Sequence, residues 1–161
     1  MIEKEKSQDP ENFQVSLKIL LKKNNQYLLL NVAKTDRVAG MEKFDLPGGR
    51  INRDELNLPF HQLVDREVKE ELGPLITYKL RPDPVSLGQA IIPDFIEIKP
   101  GETRSRFFVL FEAEYLSGEI EISDEHSDYQ WTDLQPNHIE QLFTPLLWDV
   151  LKNYFDWNTN I

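Results

Sequence analysis

The sequence contains no cysteine. This excludes disulfide bonds, thiolate zinc sites and cysteine nucleophiles, and it fits a reducing compartment. Long apolar runs are missing as well, so no segment is long enough to span a bilayer. The first ten residues alternate in charge and lack the apolar stretch of a signal peptide. We therefore expect a soluble cytoplasmic protein without a membrane partner.

Positive charge is scarce. The 18 Lys and Arg residues face 28 Asp and Glu residues, which gives a net charge of −10. Phosphate backbones are recognised by clusters of Lys and Arg, so this balance argues against nucleic acid as a partner. At 161 residues and 40% hydrophobic composition, the chain has the make-up of one globular domain. We expect a flexible tail over residues 1–12 and a single domain over residues 13–161.

The hydrophobic pattern predicts a mixed α and β protein. Residues 15–21 alternate as a half-buried strand, with Ser16, Lys18 and Lys22 on its solvent side. Residues 34–43 form a charged loop. Helices are predicted from about Pro59 to Leu72, ending at Gly73, and again from Thr144–Pro145 onward. Further strands are predicted at residues 27–32, 86–92, 106–115 and 129–131, with a hairpin leading from the third of these, 106–115, to residues 119–122.

The chemistry is concentrated on the first helix. Glu67, Glu70 and Glu71 are spaced at i, i+3 and i+4, so they share one helical face beside an apolar stripe. Three carboxylates so close repel one another unless a cation compensates. Oxygen ligands of this kind suit Mg²⁺ or Mn²⁺. Asp65 and Lys69 form an ordinary i,i+4 pair on the outer side.

A Glu-rich helix taken alone is more often a solvated face, and a Gly-Gly pair is more often a simple turn. Their conjunction is more informative. The segment Leu46-Pro47-Gly48-Gly49-Arg50 follows a strand, Glu55 follows Gly49 after five residues, and the acidic helix ends at Gly73.

This arrangement resembles the signature of the Nudix (MutT-type) hydrolases. Gly49 and Glu55 match its first half. Its second half is matched in order by Arg66, Glu67, Val68, Glu70, Glu71 and Gly73. Weaker agreement extends over residues 13–155. The resemblance implies an α/β Nudix fold, in which a mixed β-sheet is sandwiched between helices.

Two departures from the family pattern stand out. Ten residues separate Glu55 from Arg66, where the family has seven. We expect the three extra residues to lie before Pro59, which leaves the acidic face intact and makes the placement of Glu55 the open question. The second departure is Pro74 in place of an aliphatic residue, with Leu75 available to fill that position.

The resemblance also implies a reaction: divalent-metal-dependent hydrolysis of a nucleoside diphosphate linked to another moiety. Mg²⁺ or Mn²⁺ would be held by Glu67, Glu70 and Glu71, with the Gly48 carbonyl as a further ligand. Arg66 would orient a carboxylate such as Glu55. Glu125 is favoured as the general base. The equal alternative is that Glu125 is only a solvated acid of this loop.

His126, in the same loop as Glu125, is the weaker candidate for a titrating group. Arg50, Arg104 and Arg106 are all candidates for phosphate contacts, and the sequence does not choose among them.

Two other functions compete with hydrolysis. A Nudix-fold module could bind or sense a nucleotide without turnover, although the intact glutamate set argues against this. An isoprenoid diphosphate isomerase shares the fold, but the absence of cysteine removes one of its usual catalytic groups. The substrate could be a nucleotide sugar, ADP-ribose, a dinucleoside polyphosphate or a nucleoside triphosphate. A homodimer is a family-level expectation.

Overall fold

The structure is a computed structural model that describes residues 8–32 and 43–159. The predicted charged loop at 34–43 lies outside this part of the chain except for its last residue, and so do residues 1–7 of the predicted tail. Residues 8–12 precede the first strand and are exposed. The described residues form seven strands and three α-helices.

The strands are β1 (Gln14–Lys23), β2 (Gln26–Val32), β3 (Phe44–Asp45), β4 (Thr77–Leu80), β5 (Ser86–Ile91), β6 (Ser105–Ser117) and β7 (His126–Thr132). The α-helices are α1 (Phe60–Leu72), α2 (Ile139–Leu142) and α3 (Pro145–Thr159). Short 3₁₀ turns lie at Arg53–Glu55 and Pro136–His138. Among the described helices, none is both long and apolar enough to cross a membrane.

The seven strands form one mixed sheet, in the order β3-β2-β1-β6-β4 with β5 and β7 attached at its sides. The two central strands, β1 and β6, are parallel and pair from Gln14 opposite Arg106 to Lys22 opposite Glu114. On its other edge, β6 pairs antiparallel with β5 and then with β4. β1 pairs with β2 only at their connecting turn. Beyond that point, the edge of β1 is open to another segment.

Helices cover both faces of the sheet. Leu17, Ile19 and Leu21 of β1 pack with Val64, Val68 and other apolar residues of α1. Alternate positions on the other face, including Leu20 of β1 and Leu110 of β6, pack against α2 and α3. Because successive side chains of a strand point to opposite faces, the same strands supply both cores. This is the sheet between helices expected for the α/β Nudix fold.

The central strand differs from the prediction in one respect. Its apolar side is as expected, but Ser16 and Lys18 are not on a solvent side: they are 5% and 8% exposed. The prediction of a half-buried strand was wrong because other segments cover the face that alternation alone assigns to water. Residues 45–50 lie against Ser16 and Lys18, and Leu20 on the same face packs with α2 and α3. A lysine is therefore buried in the centre of the domain.

The predicted hairpin was also wrong. No strand forms at residues 119–122. The Glu121 amide instead donates to the Leu72 carbonyl at 2.9 Å, and the Ser123 amide donates to the Glu71 backbone carbonyl at 3.1 Å. These bonds satisfy carbonyls at the end of α1 that have no partner within the helix. At residues 113–117 the antiparallel neighbour of β6 is instead β4, which the sequence analysis missed.

The two predicted helices are confirmed. Pro59 is the extended residue that precedes α1, and Gly73 ends the helix with φ of 89°. α3 carries the expected apolar face, and it docks on β5 through a Ser86 hydroxyl that donates to the Val150 carbonyl at 2.7 Å. Gly88 allows this approach, since a Cβ there would lie 2.4 Å from the Val150 nitrogen.

Candidate functional site

The site is built on the turn that follows β3. The Leu17 amide donates to the Gly49 carbonyl and the Ile19 amide to the Pro47 carbonyl, each at 2.9 Å. The turn thus occupies the edge of β1 that β2 leaves open. Gly48 has φ of 126°, and a Cβ there would lie 2.1 Å from the Leu17 carbonyl oxygen. Only glycine fits this position.

The two glycines bring the turn into contact with two glutamates of α1. The Gly48 amide donates to Glu71 Oε2 at 2.6 Å. A Cβ on Gly49 would lie 2.6 and 2.7 Å from the two carboxylate oxygens of Glu67. Any side chain at residue 49 would therefore displace the Glu67 carboxylate. The glycines and the acidic helix, which are separated in the sequence, are therefore in contact in the structure.

The three glutamates on the acidic face differ in burial. Glu67 and Glu71 are 6% and 7% exposed, whereas the Glu70 side chain is 58% exposed. Burial raises the pKa of Glu71 to about 8, even though Lys18 and the Gly48 amide favour its charged form. Burial also raises the pKa of Glu67, against the opposing effect of Arg66. Two buried carboxylates therefore lack full compensation of their charge.

Arg66 lies among three carboxylates. Its guanidinium is 2.5 Å from Glu55 Oε1, 2.7 Å from Glu67 Oε1 and 2.8 Å from Glu70 Oε2. On the outer side of α1, Lys69 and Asp65 pair at 2.6 Å, as predicted. Arg66 is thus the one cation of the helix that engages the acidic face.

Glu55 reaches the site despite the extra residues. Its Oε2 accepts hydrogen bonds from the Asn52 amide at 2.8 Å and from Arg66 at 3.2 Å. The three additional residues fall between the 3₁₀ turn that carries Glu55 and the start of α1. Residues 56–58 form an exposed turn there, with Leu56 73% exposed, and Glu55 keeps its contact with Arg66.

A polar cavity of about 300 Å³ joins these groups. Glu125 contributes to its wall from the segment before β7 and is exposed, while its neighbour His126 begins β7 and is buried. The Ser123 hydroxyl oxygen is buried and has no hydrogen-bond partner in the described part of the chain. The lining residues are Gly48, Gly49, Arg50, Asn52, Arg66, Glu67, Glu70, Glu71, Ser123 and Glu125.

The chemistry of this cavity fits a divalent cation. It offers carboxylate oxygens, the ligands that Mg²⁺ and Mn²⁺ prefer, and two of its acids are buried with raised pKa. In residues 8–32 and 43–159, however, no three acidic or histidine side chains converge as a ready-made metal cage. Arg66 instead engages the oxygens of Glu67 and Glu70.

Lys18 is the site residue that the sequence analysis missed. Its ammonium donates to Asp45 Oδ2 at 2.9 Å, to the Leu46 carbonyl at 3.1 Å and to the Gly48 carbonyl at 3.2 Å. Burial alone would lower the pKa of Lys18, but Asp45 and Glu71 outweigh it and the pKa is raised. The available signal was a lysine in an otherwise apolar stretch of β1.

A second, larger cavity of about 450 Å³ lies beside the first and shares Gly49 and Arg50 with it. Its walls are largely apolar and come from the sheet, from residues 92–98 and from the start of α3. The apolar lining residues are Val32, Phe44, Ile92, Ile96, Ile98, Phe108, Leu146 and Leu147.

The structure distinguishes the three candidate arginines. Arg104 donates to the carbonyls of Pro93 and Ile96, at 2.8 and 2.9 Å, and so holds a loop. Arg106 is buried and donates to the Thr103 carbonyl. Arg50 pairs with Glu102, yet its side chain is 45% exposed and borders both cavities. Arg106 also lines the larger cavity, but of the three arginines Arg50 alone borders both.

Solved structures match nearly the whole chain. A MutT protein from Methanosarcina mazei is 23% identical and superposes with a TM-score of 0.62, over 96% of this chain and 98% of its own. The dihydroneopterin triphosphate pyrophosphohydrolase of E. coli is 19% identical, with a TM-score of 0.58 over 92% and 97% of the two chains. An ADP-ribose pyrophosphatase from Streptococcus suis is 16% identical, with a TM-score of 0.56 over 92% of each.

At the level of sequence, the chain matches no family model and no curated protein. The structural matches nevertheless define the class of architecture. The protein has the Nudix fold, as the resemblance of its glycine turn and acidic helix implied.

Proposed function

We propose that the protein is a Nudix hydrolase that cleaves the diphosphate linkage of a nucleoside diphosphate joined to another moiety, with Mg²⁺ or Mn²⁺. One molecule of water is consumed. A phosphorus–oxygen bond of the linkage breaks, and each product retains a phosphate. Candidate substrates are ADP-ribose, nucleotide sugars, dinucleoside polyphosphates and nucleoside triphosphates.

One observation carries this proposal. The Gly48–Gly49 turn contacts the buried carboxylates of Glu67 and Glu71 in the same cavity as Arg66 and Glu125. A solvated helical face would leave its acids in water, where each remains charged at little cost. Burying two carboxylates is unfavourable unless a ligand compensates them. The arrangement is therefore expected of a binding site rather than of a surface.

In this proposal Glu67, Glu70 and Glu71 hold the cation, with the Gly48 carbonyl as a further ligand. A divalent cation held by these residues would supply charge neutralisation at the phosphate oxygens and would help to orient the attacking water. Arg66 keeps the Glu55 and Glu67 carboxylates in place through paired hydrogen bonds. Glu125 accepts the proton that the water loses when it attacks phosphorus.

The two adjoining cavities support a substrate position in which the nucleoside lies in the larger cavity and the diphosphate reaches the acidic one. The apolar cavity of about 450 Å³ is of the size that takes a nucleoside-like group. Its Phe44 and Phe108 side chains offer apolar contacts for a base. A diphosphate that extends from this cavity into the acidic one lies beside Arg50, which can pair with the phosphate oxygens. Arg50 also provides positive charge in a protein of net charge −10.

Turnover of a substrate panel tests the proposal. We would measure phosphate or nucleotide release from the four substrate classes with Mg²⁺, with Mn²⁺ and with chelator. Glu67→Gln and Glu70→Gln should lower kcat by about 100-fold or more, because the metal supplies several kcal/mol of charge stabilisation. Asp65→Asn is the matched control, since it removes an acid from the outer side of α1.

Turnover that persists in chelator, or in the glutamate variants, would refute the metal-dependent mechanism. No turnover with any of the four classes would refute hydrolysis of these substrates. If thermal stabilisation by one of them were still observed in that case, the protein would be a nucleotide-binding module on the same fold.

A further inference from the structure

Lys18 is not one of the glutamates and glycines on which the proposed hydrolysis rests. It projects from the middle of β1 and is 8% exposed. Burying an ammonium costs several kcal/mol unless hydrogen bonds satisfy it. Here all three of its hydrogen bonds go to residues 45–48, the segment that forms the glycine turn. The lysine therefore holds the turn.

The contacts of Lys18 connect it to the acidic site. It donates to the Gly48 carbonyl at 3.2 Å, and the amide of the same residue donates to Glu71 at 2.6 Å. The Lys18 ammonium also ties Asp45, at the end of β3, to the Gly48 peptide. If these bonds were lost, Lys18 would no longer hold Gly48 in its positive-φ conformation. The hydrogen bond from the Gly48 amide to Glu71 would then weaken.

We propose that Lys18 is a positioning residue, which sets the Gly48 turn so that Glu71 and the Gly48 carbonyl are arranged for a divalent cation. This role rests on the proposed function, because it assigns a task within the same site. Lys18 also borders the cavity of about 450 Å³, but all three of its hydrogen bonds go to the turn. Its effect must therefore be transmitted through the geometry of Gly48.

Direct Mn²⁺ binding without substrate separates this role from simple electrostatics. By charge alone, removing an ammonium next to Glu71 should tighten the binding of a cation. Positioning predicts the opposite. We expect Lys18→Met to weaken Mn²⁺ binding by about tenfold in calorimetry, the effect typical of losing an outer partner of a metal ligand. Lys22→Met, at the end of the same strand, should leave Mn²⁺ affinity unchanged.

The kinetic signature is equally specific. Lys18→Met should lower kcat about tenfold or more while KM stays within about threefold of the wild type. A role in stability alone would alter the fraction of folded protein and leave both constants of the folded protein unchanged. If Lys18→Met does not fold, Asp45→Asn provides the second test. It weakens one anchor of the ammonium, so it should shift the amide resonance of Gly48 if Lys18 sets the turn. Mn²⁺ affinity does not discriminate for this variant, because loss of a carboxylate weakens cation binding by charge alone.

The absence of cysteine makes a rescue experiment possible. Lys18→Cys introduces a single thiol, which can be alkylated in denaturant before refolding. Bromoethylamine restores a lysine-like ammonium, whereas iodoacetamide adds a neutral group of similar length. The first product should recover Mn²⁺ affinity and kcat, and the second should not.

Several outcomes would overturn the role of Lys18. These are Mn²⁺ affinity that is unchanged or tighter in folded Lys18→Met, an unchanged kcat, or equal recovery by both alkylated proteins. Failure of the proposed function gives a different result, since the wild type itself would then lack turnover. In that case Mn²⁺ affinity and the amide chemical shift of Gly48 still decide whether Lys18 sets the turn.

Discussion

The buried carboxylate of Glu71 should make the metal-free protein less stable as the pH rises. Its pKa is raised from 4.5 to about 8, chiefly by burial. The folded state therefore binds this proton more tightly than the unfolded chain does. The resulting stabilisation is fully present below about pH 4.5, and it is lost as the pH rises through about 8.

The magnitude is large for a single side chain. A tenfold change in proton affinity is worth about 1.4 kcal/mol, so the rise from 4.5 to about 8 corresponds to about 5 kcal/mol. Glu71 is 7% exposed, and solvent therefore screens little of this effect. Burial also raises the pKa of Glu67, which adds a change of the same sign. Domains of this size are stable by about 5–15 kcal/mol, so the loss should be readily measured.

Urea unfolding in chelator, followed between pH 5 and pH 8.5, measures the effect. The wild type should lose several kcal/mol over this range. Glu71→Gln keeps an acceptor for the Gly48 amide but cannot ionise, so its stability should fall much less. At pH 8.5 the variant should be more stable than the wild type. Glu70→Gln, which alters a side chain that is 58% exposed, should keep the wild-type slope.

Equal slopes for Glu71→Gln and the wild type would refute this account of the buried site. So would a metal-free wild type whose stability rises between pH 5 and pH 8.5. Saturating Mn²⁺ should remove most of the loss in the wild type, because a cation compensates the ionised carboxylate.

Two further predictions concern the substrate and the packing of α3. Arg50→Ala should raise KM about tenfold with kcat little changed, since it removes charge-assisted hydrogen bonds to phosphate; steady-state kinetics test this, with the exposed Arg81→Ala as control. An unchanged KM would contradict the placement of the diphosphate. Gly88→Ala should destabilise the protein by about 2 kcal/mol, because a Cβ there would lie 2.4 Å from the Val150 nitrogen. Urea unfolding measures it, and a change below about 0.5 kcal/mol would show that α3 shifts at little cost.

The acidic face was predictable from sequence because it depends on helical geometry. Glu67 and Glu71 lie one turn apart wherever a helix forms, and the apolar stripe beside them determines which side is buried. The resemblance assigned Glu71 and the Gly48 carbonyl to one metal site, but it did not predict the hydrogen bond that the Gly48 amide donates to Glu71. The unequal burial of Glu70 did not follow, because it depends on how α1 lies against the turn.

Features that depend on distant partners were not predictable in this way. Alternation along β1 assigned Lys18 to solvent, because a strand pattern cannot report that the turn at residues 45–48, up to 30 residues later, lies against that position. Residues 119–122 had the turn expected of a hairpin, yet the free carbonyls at the end of α1 provide better partners for their amides. Four-residue β4 gave too short a pattern to detect.

The parallel pairing of β1 with β6 has a consequence for the order of folding. Gln14 pairs with Arg106, so the two central strands meet only after about ninety residues of intervening chain have been brought together. Such distant contacts slow folding, since the entropy of closing the loop is lost before the contact stabilises. The glycine turn rests on β1 and the segment of Ser123 follows β6. The acidic cavity should thus be among the last parts to form, and metal binding should report on completed folding.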